Sequence, residues 1–305
     1  MYGDILLKSW KDLFKGKLSG VHENSGVIEA FEDNLQNLVY DCIHAENEKY
    51  FTGCREVLGV LHDAKFLKNS QGIEDLLYRI YAPILFRSLR CVNSVVRAQA
   101  SILFFDVFPL VQESSTTTGV TNIANFDAIL QKQFDLLSAL LKDVDHRVRA
   151  ASASGVCHIL KEYYEVLPVV TTKQILSYVV GTLGFDISTP TVRLAVIVGL
   201  KELLEQPLSH NVLKGLLPLL KNTLNDKSYA VRIAFLQLLI MVNKKLLHIL
   251  CKLTFPILLI YGYFFSSWLH SITLFPYSIF YDHLYQYRLK ILKLFISFNL
   301  LQLIA

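Results

Sequence analysis

The sequence predicts an all-α protein built from stacked helix pairs, and three observations carry that prediction. A Val-Arg dipeptide recurs at Val96-Arg97, Val148-Arg149, Val192-Arg193 and Val231-Arg232, at separations of 52, 44 and 39 residues. Each dipeptide opens an apolar stripe at helical spacing. The 305 residues are 52% hydrophobic, with only 14 Gly and 8 Pro, which excludes a disordered chain and argues against a loop-rich all-β fold.

Taken in order, residues 1–25 open with MYGDILLKSWKDLF, where Asp4, Lys8, Lys11 and Asp12 interrupt the apolar residues. This reads as an amphipathic helix and linker, because a secretory signal needs an uninterrupted apolar stretch. Residues 26–245 carry the repeats. A first pair with weak repeat features spans Gly26 to Ala45 and Asn47 to Leu67.

Counting from each repeated arginine, positions −1, +2, +3, +6, +7 and +10 share a helix face. For Arg97 that face is Val96, Gln99, Ala100, Leu103, Phe104 and Val107; for Arg149 it is Val148, Ala151, Ser152, Gly155, Val156 and Ile159. Arg193 gives Val192, Ala195, Val196, Gly199, Leu200 and Leu203, and Arg232 gives Val231, Ala234, Phe235, Leu238, Leu239 and Val242. Small residues at +2 or +3 mark where a neighbouring helix approaches closely. Residues 112–125, QESSTTTGVTNIAN, break the pattern and read as an inserted, solvated loop whose hydroxyls are open to phosphorylation or serve only as a spacer.

A second apolar helix and a tight turn precede the dipeptides. The turns read LKDVDHRVR, FDISTPTVR and LNDKSYAVR. Asp143, Asp186 and Asp226 are positioned to accept hydrogen bonds from free N–H groups where the following helix begins. Pro190 suits a first helical turn, which loses no bond to it. The earliest copy has Cys91 and Asn93 instead. The repeated Arg97, Arg149, Arg193 and Arg232 are expected to join the layers by bonding turn carboxylates and carbonyls. Helix, Asp-bearing turn, Val-Arg and helix at a period near forty is the signature of a HEAT or armadillo α-solenoid, here of about five units forming a right-handed superhelix.

After Leu246 the chain changes character. Residues 246–305 form a hydrophobic aromatic tail, and Leu253 to Tyr281 contains no Asp, Glu, Lys or Arg. By length that stretch spans a bilayer as one helix, although Pro256 and Pro276 make it a poor span. Its bias toward Phe, Leu, Ile, Tyr, Ser and Lys also matches read-through of AT-rich noncoding DNA or a divergent splice. A native cap for the array is the third reading, and it lacks the polar outer face that a terminal repeat needs.

The chemistry-bearing motifs of enzymes are missing. There is no glycine-rich phosphate loop, no H-E-x-x-H and no G-x-S-x-G. Five dispersed cysteines, never C-x-x-C, argue against a disulfide framework or zinc site. Cys157 and His158 are adjacent on a helix and point apart, so they do not form a nucleophile and base. No enzyme, cofactor or metal is expected. The formal charge is only +4, yet cations cluster: Lys8, Lys11 and Lys15 on the first helix, Arg87 and Arg90 one turn apart, Lys142 and Arg147 at one turn, Lys221 and Lys227 at another, and Lys244 with Lys245. Equivalent turns line one edge of a stacked array, so these residues are candidates for following a phosphate backbone. A solvated edge with interspersed acids is the alternative.

Four strings carry a family resemblance: LYRIYAPILFRSLRCVNSVVRAQASILFFDVFPL from Leu77, LQKQFDLLSALLKDVDHRVRAASASGVCHILKEYYEVLP from Leu130, LGFDISTPTVRLAVIVGL from Leu183, and LSHNVLKGLLPLLKNTLNDKSYAVRIAFLQLL from Leu208. In this order they resemble the HEAT-repeat, G-type non-SMC subunit of the condensin II complex. The resemblance implies a non-catalytic subunit that acts in mitotic chromosome condensation, in the nucleus and on chromosomes. It would grip a kleisin chain and touch double-stranded DNA beside SMC subunits that hold the ATPase. Members of that family are much longer, which implies that this chain is a portion or a truncated product. The charge-free stretch at 253–281 motivates a second reading, a membrane-anchored HEAT scaffold or trafficking adaptor.

Overall fold

The computed structural model describes residues 1–18, 25–64, 72–112 and 121–242, with backbone only at 14–18, 25, 64 and 121–127. The described residues are all-α, with no strand among them. They form two units divided between Leu203 and Leu204. The first holds α1 (Tyr2–Leu18), α2 (Ser25–Ile43), α3 (Glu48–Ala64), α4 (Ile73–Ser88), α5 (Ser94–Val107), α6 (Thr121–Leu140), α7 (His146–Tyr163), α8 (Val169–Gly181) and α9 (Pro190–Leu203). The second holds α10 (His210–Leu216), flanked by 3-10 turns at Pro207–Ser209 and Leu217–Asn225, and then α11 over residues 229–242.

In the first unit the odd-numbered helices stack in a single row, α1 on α3, α3 on α5, α5 on α7 and α7 on α9. The even-numbered helices flank that row: α2 packs on α4, and α2, α4 and α6 each pack on the odd helix that follows. A 3-10 turn at Leu183–Phe185 joins α8 to α9 and packs on both. The amino-terminal helix extends the row. It buries Trp10 and lays Gly3 against α3, where a Cβ would meet the Val57 carbonyl and the Val60 side chain.

Burial follows the repeated stripe. Val148, Val192 and Val231 are all fully buried, as are Ala100, Ser152, Val196 and Phe235 at the +3 position. Each such valine contributes about 1.5–3 kcal/mol on leaving water. Burial is also wider than one stripe. Ala98, Ser101 and Phe105 on α5, and Ala150, Ala153 and Cys157 on α7, are buried on a second face. α5 and α7 are therefore each buried on two faces, α5 beneath α7 and α7 beneath α9.

The closest approach occurs at +6, one turn beyond the +2 or +3 positions expected from the sequence. A Cβ on Gly155 would lie 2.1 Å from the Phe105 ring. A Cβ on Gly199 would lie 2.9 Å from both Cβ and Sγ of Cys157. Phe105 and Cys157 both stand at +8 of their own layer, so one contact recurs: the +8 side chain of one helix fills the +6 glycine notch of the next. Glycine is required because backbone must meet side chain where a methyl would sit.

Of the segment 112–125 expected as a loop, TNIAN belongs to α6, which begins at Thr121, and residues 113–120 lie outside the described residues. Ile123, Phe126, Ile129 and Leu130 already recur at helical spacing, and that period prevails over the polar composition around it. Buried Gln133 of α6 pins the chain leaving α5: its amide donates to the Leu110 carbonyl at 2.9 Å, and its oxygen accepts the Leu110 N–H at 3.1 Å. Beside it, Phe108 meets Phe104 and Tyr163 edge-on and Phe134 at a tilt, which closes the core between the α4/α5 and α6/α7 pairs.

In the second unit Leu213, Leu220, Val231, Phe235 and Leu238 are buried. His210 Nε2 lies 2.9 Å from the Leu204 carbonyl oxygen. No helix of the described residues is long and apolar enough to cross a membrane. The aromatic tail, Lys244 and Lys245 lie outside the described residues.

Candidate functional site

The turns that join paired helices carry a polar pattern that repeats from layer to layer in the first unit. Arg97 donates from Nε and Nη2 to the two carboxylate oxygens of Asp143, both at 2.9 Å, across to the next layer. Arg149 repeats the reach, with Nε to Asp186 at 2.9 Å and Nη2 to the Ser188 hydroxyl at 2.6 Å. Each arginine also clasps its own turn. Arg97 Nη1 donates to the Cys91 and Val92 carbonyls, Arg149 Nη1 to those of Asp143 and Val144, and Arg232 Nη1 to those of Asp226 and Lys227. Arg193 Nη1 donates to the carbonyls of Asp186 and Thr189.

The turn aspartates were expected to serve the start of the following helix, and they are engaged elsewhere. Asp143, Asp186 and Asp226 accept the N–H two residues on, from Asp145, Ser188 and Ser228, within the turn itself. That short loop aims the carboxylates of Asp143 and Asp186 sideways at the preceding layer. The helix starts are capped by their neighbours. Asp145 accepts the Arg147 N–H at α7, and Asn93 accepts the Val95 N–H at α5. Cys91 holds the aspartate position in the first turn of this type, and there the layers are tied between helices: Arg55 of α3 binds Asp106 of α5, and Arg79 of α4 binds Glu32 of α2, each through two bonds.

Burial on its own would raise the Asp143 and Asp186 carboxyls. The hydrogen bonds from Arg97, and from Ser188 with Arg149, outweigh it and hold both below their ordinary value of 3.8. The bond from Arg147 lowers Asp145 in the same way. A carboxyl held low in the fold releases its proton more readily there than in the unfolded chain. Its stabilisation is therefore complete above the unfolded value and fades as pH falls through the folded one. Denaturant midpoints are expected to stay level between about pH 7 and 5 and to drop below about pH 4. The drop should be shallower in an Asp143→Asn/Asp186→Asn variant; an unchanged acid limb would contradict this account.

The candidate cations are distributed unevenly. Arg87 and Arg90 face solvent at the end of α4, and Lys142 faces solvent one layer on, with Nζ 5.5 Å from the centre of the Tyr178 ring. Arg147 belongs to the same turn as Lys142 but is held by Asp145 at 3.0 Å and donates to Ser94 at 2.8 Å, which links this turn to the start of α5. The structure thus brings Arg90, Lys142 and Arg147 onto neighbouring turns. Lys8 and half-buried Lys11 sit apart on α1, near Asp4 and Asp12. Lys15 is described by backbone alone. Lys221 and Lys227 are exposed in the second unit.

This edge also carries an uncharged pattern. The residue after each aspartate position in the first unit is aliphatic and almost wholly exposed: Val92 at 97%, Val144 at 95% and Ile187 at 98%. Position relative to the Val-Arg pair identifies them in the sequence, since they repeat with the turn. Among the described residues there is no His/Cys/Asp/Glu cluster able to hold a metal. Burial pushes the Cys157 thiol up to about 12, which leaves it unsuited to act as a nucleophile.

Residues 1–112 match the family described as condensin II non structural maintenance of chromosomes subunit. The chain is 37% identical over 242 residues to the condensin-2 complex subunit G2 of Mus musculus and 36% identical to that of Homo sapiens, with 79% of this chain covered in each case. The Xenopus laevis protein of the same name is 34% identical over 79% of this chain. The match covers 20%, 20% and 19% of those relatives respectively, so the chain spans about a fifth of their length.

Proposed function

The chain belongs to the family of condensin II non-SMC subunits of the G2 kind, and on that premise we propose that it is a non-catalytic condensin II component acting in mitotic chromosome condensation by binding the kleisin and double-stranded DNA. The observation that carries the reading is the 32–37% identity to four G2 subunits over 79% of the chain. Its site of action on this reading is the nucleus, on chromosomes, alongside the SMC subunits. The cross-layer arginine bonds support a binding role, because they hold successive turns in one register and present an extended edge. Solvent-facing Lys8, Arg87, Lys221 and Lys227 supply charge for phosphates without sequence preference.

Co-expression of the full chain with the kleisin and SMC subunits is expected to return all of them in one complex. Duplex binding should weaken steeply with salt, and charge reversal at Arg87, Lys221 and Lys227 should flatten that dependence by about one unit of log-log slope per lost contact. Recovery of neither kleisin nor DNA at low salt would remove the reading.

A further inference from the structure

We propose that the turn edge of α4/α5, α6/α7 and α8/α9 is a docking track for one extended, acidic segment of the kleisin, with Val92, Val144 and Ile187 as its apolar contacts. This deepens the function proposed above and rests on it. Water-facing aliphatics are ordinary when scattered. Here three occupy one structural position in consecutive turns, each about 95–98% exposed. The turns are held side by side by the Arg97–Asp143 and Arg149–Asp186 bonds, and the Val92 and Val144 carbonyls are themselves clasped by Arg97 and Arg149. Those bonds fix the turn so that the side chain between them projects outward.

The charge around the row selects the occupant. Every carboxylate on these turns already has an arginine: Asp143 has Arg97, Asp145 has Arg147 and Asp186 has Arg149. Arg90 and Lys142, each two residues before an exposed valine, face solvent with no carboxylate partner among the described residues. The edge therefore offers apolar contacts beside unmatched positive charge. A phosphate backbone would use the charge and gain nothing from the valines, whereas an acidic peptide with apolar side chains uses both. Packed helices lie about 8–10 Å apart, and an extended polyproline II segment rises about 3.1 Å per residue with three residues per turn. Every third side chain of such a segment thus faces the edge once per layer, and acidic side chains between them are free to face Arg90 and Lys142.

The test uses the full chain co-expressed with the condensin II kleisin. A Val92→Glu/Val144→Glu/Ile187→Glu variant should keep the parental melting temperature, because the three side chains touch little, and should bind the kleisin at least about tenfold more weakly. Arg90→Glu/Lys142→Glu should weaken kleisin binding in the same direction and make the remainder less salt-sensitive. If the parent binds kleisin and the triple variant binds it equally well, the track is wrong while the subunit reading stands. If the triple variant instead loses duplex DNA and keeps the kleisin, the edge serves nucleic acid and the proposal is overturned. A parent that recovers no kleisin at all overturns both.

Discussion

Replacing Gly155 by leucine should cost the first unit about 3 kcal/mol, the upper end of what overpacking a tight core usually costs. The Cβ alone would fall 2.1 Å from the Phe105 ring, and the ring has little room, since Phe105 is buried and its neighbour Phe104 already meets Phe86 and Phe108. Alanine is the milder case: it gains about 1 kcal/mol of helix propensity over glycine, yet the clash should still leave it less stable than the parent. The measurement is a denaturant melt read by peptide-resolved amide exchange, so that α5, α7 and α9 are followed apart from the second unit. Phe105→Ala alone should cost about 3–5 kcal/mol. Combined with Gly155→Ala, the added methyl enters the space the ring vacates, and the pair should cost less than the two separately. Leucine at 155 with parental stability would mean that α5 and α7 do not meet there.

Arg149→Ala is expected to cost a similar amount, about 3 kcal/mol at the lower end for a broken buried ion pair, because it takes the guanidinium from a buried carboxylate that keeps only its bonds from Ser188 and Thr189. The Asp186 side chain is only 9% exposed and that of Arg149 13%, so water replaces little of what is lost. The carbonyls of Asp143 and Val144 lose their donor as well. Lysine should not rescue. One compact ammonium cannot serve a carboxylate, a hydroxyl and two carbonyls at once. Removing both charges in Arg149→Met/Asp186→Leu should recover part of the loss, since no buried charge is then left without its counter-charge. An Arg149→Lys chain as stable as the parent, judged by urea midpoint, would show that the guanidinium fork is not what joins these layers.

The repeat was legible because its signal is periodic. A Val-Arg pair followed by an apolar stripe announces a helix and one of its buried faces, and Val148, Val192 and Val231 are fully buried. The second buried face, with Ala153 and Cys157, was less visible because small and weakly polar residues do not stand out in a hydrophobicity pattern. The +6 glycines lay on the recognised stripe, but their purpose depends on Phe105 and Cys157, which belong to the preceding layer. The aspartates show the same limit. Their spacing from the arginines was plain in the chain, while the direction of each carboxylate is set by a turn that accepts its own N–H two residues on. In the sequence a cation is marked by its sign alone, and sign does not reveal that Arg147 is matched to Asp145 whereas Arg90 and Lys142 face water.

Cys91 at the aspartate position has a consequence for how such an array can change length. The α6/α7 pair receives a guanidinium from the layer before it and offers one to the layer after it, so its two ends match. Copying that pair in tandem would create a junction already chemically complete. The α4/α5 pair offers an arginine but has no carboxylate in its turn to receive one, and it meets its predecessor through ion pairs borne on the helices, Arg55 with Asp106 and Arg79 with Glu32. It can begin a run of interchangeable links but cannot be inserted within one, which gives this protein a grammar for growing by duplication in one direction only.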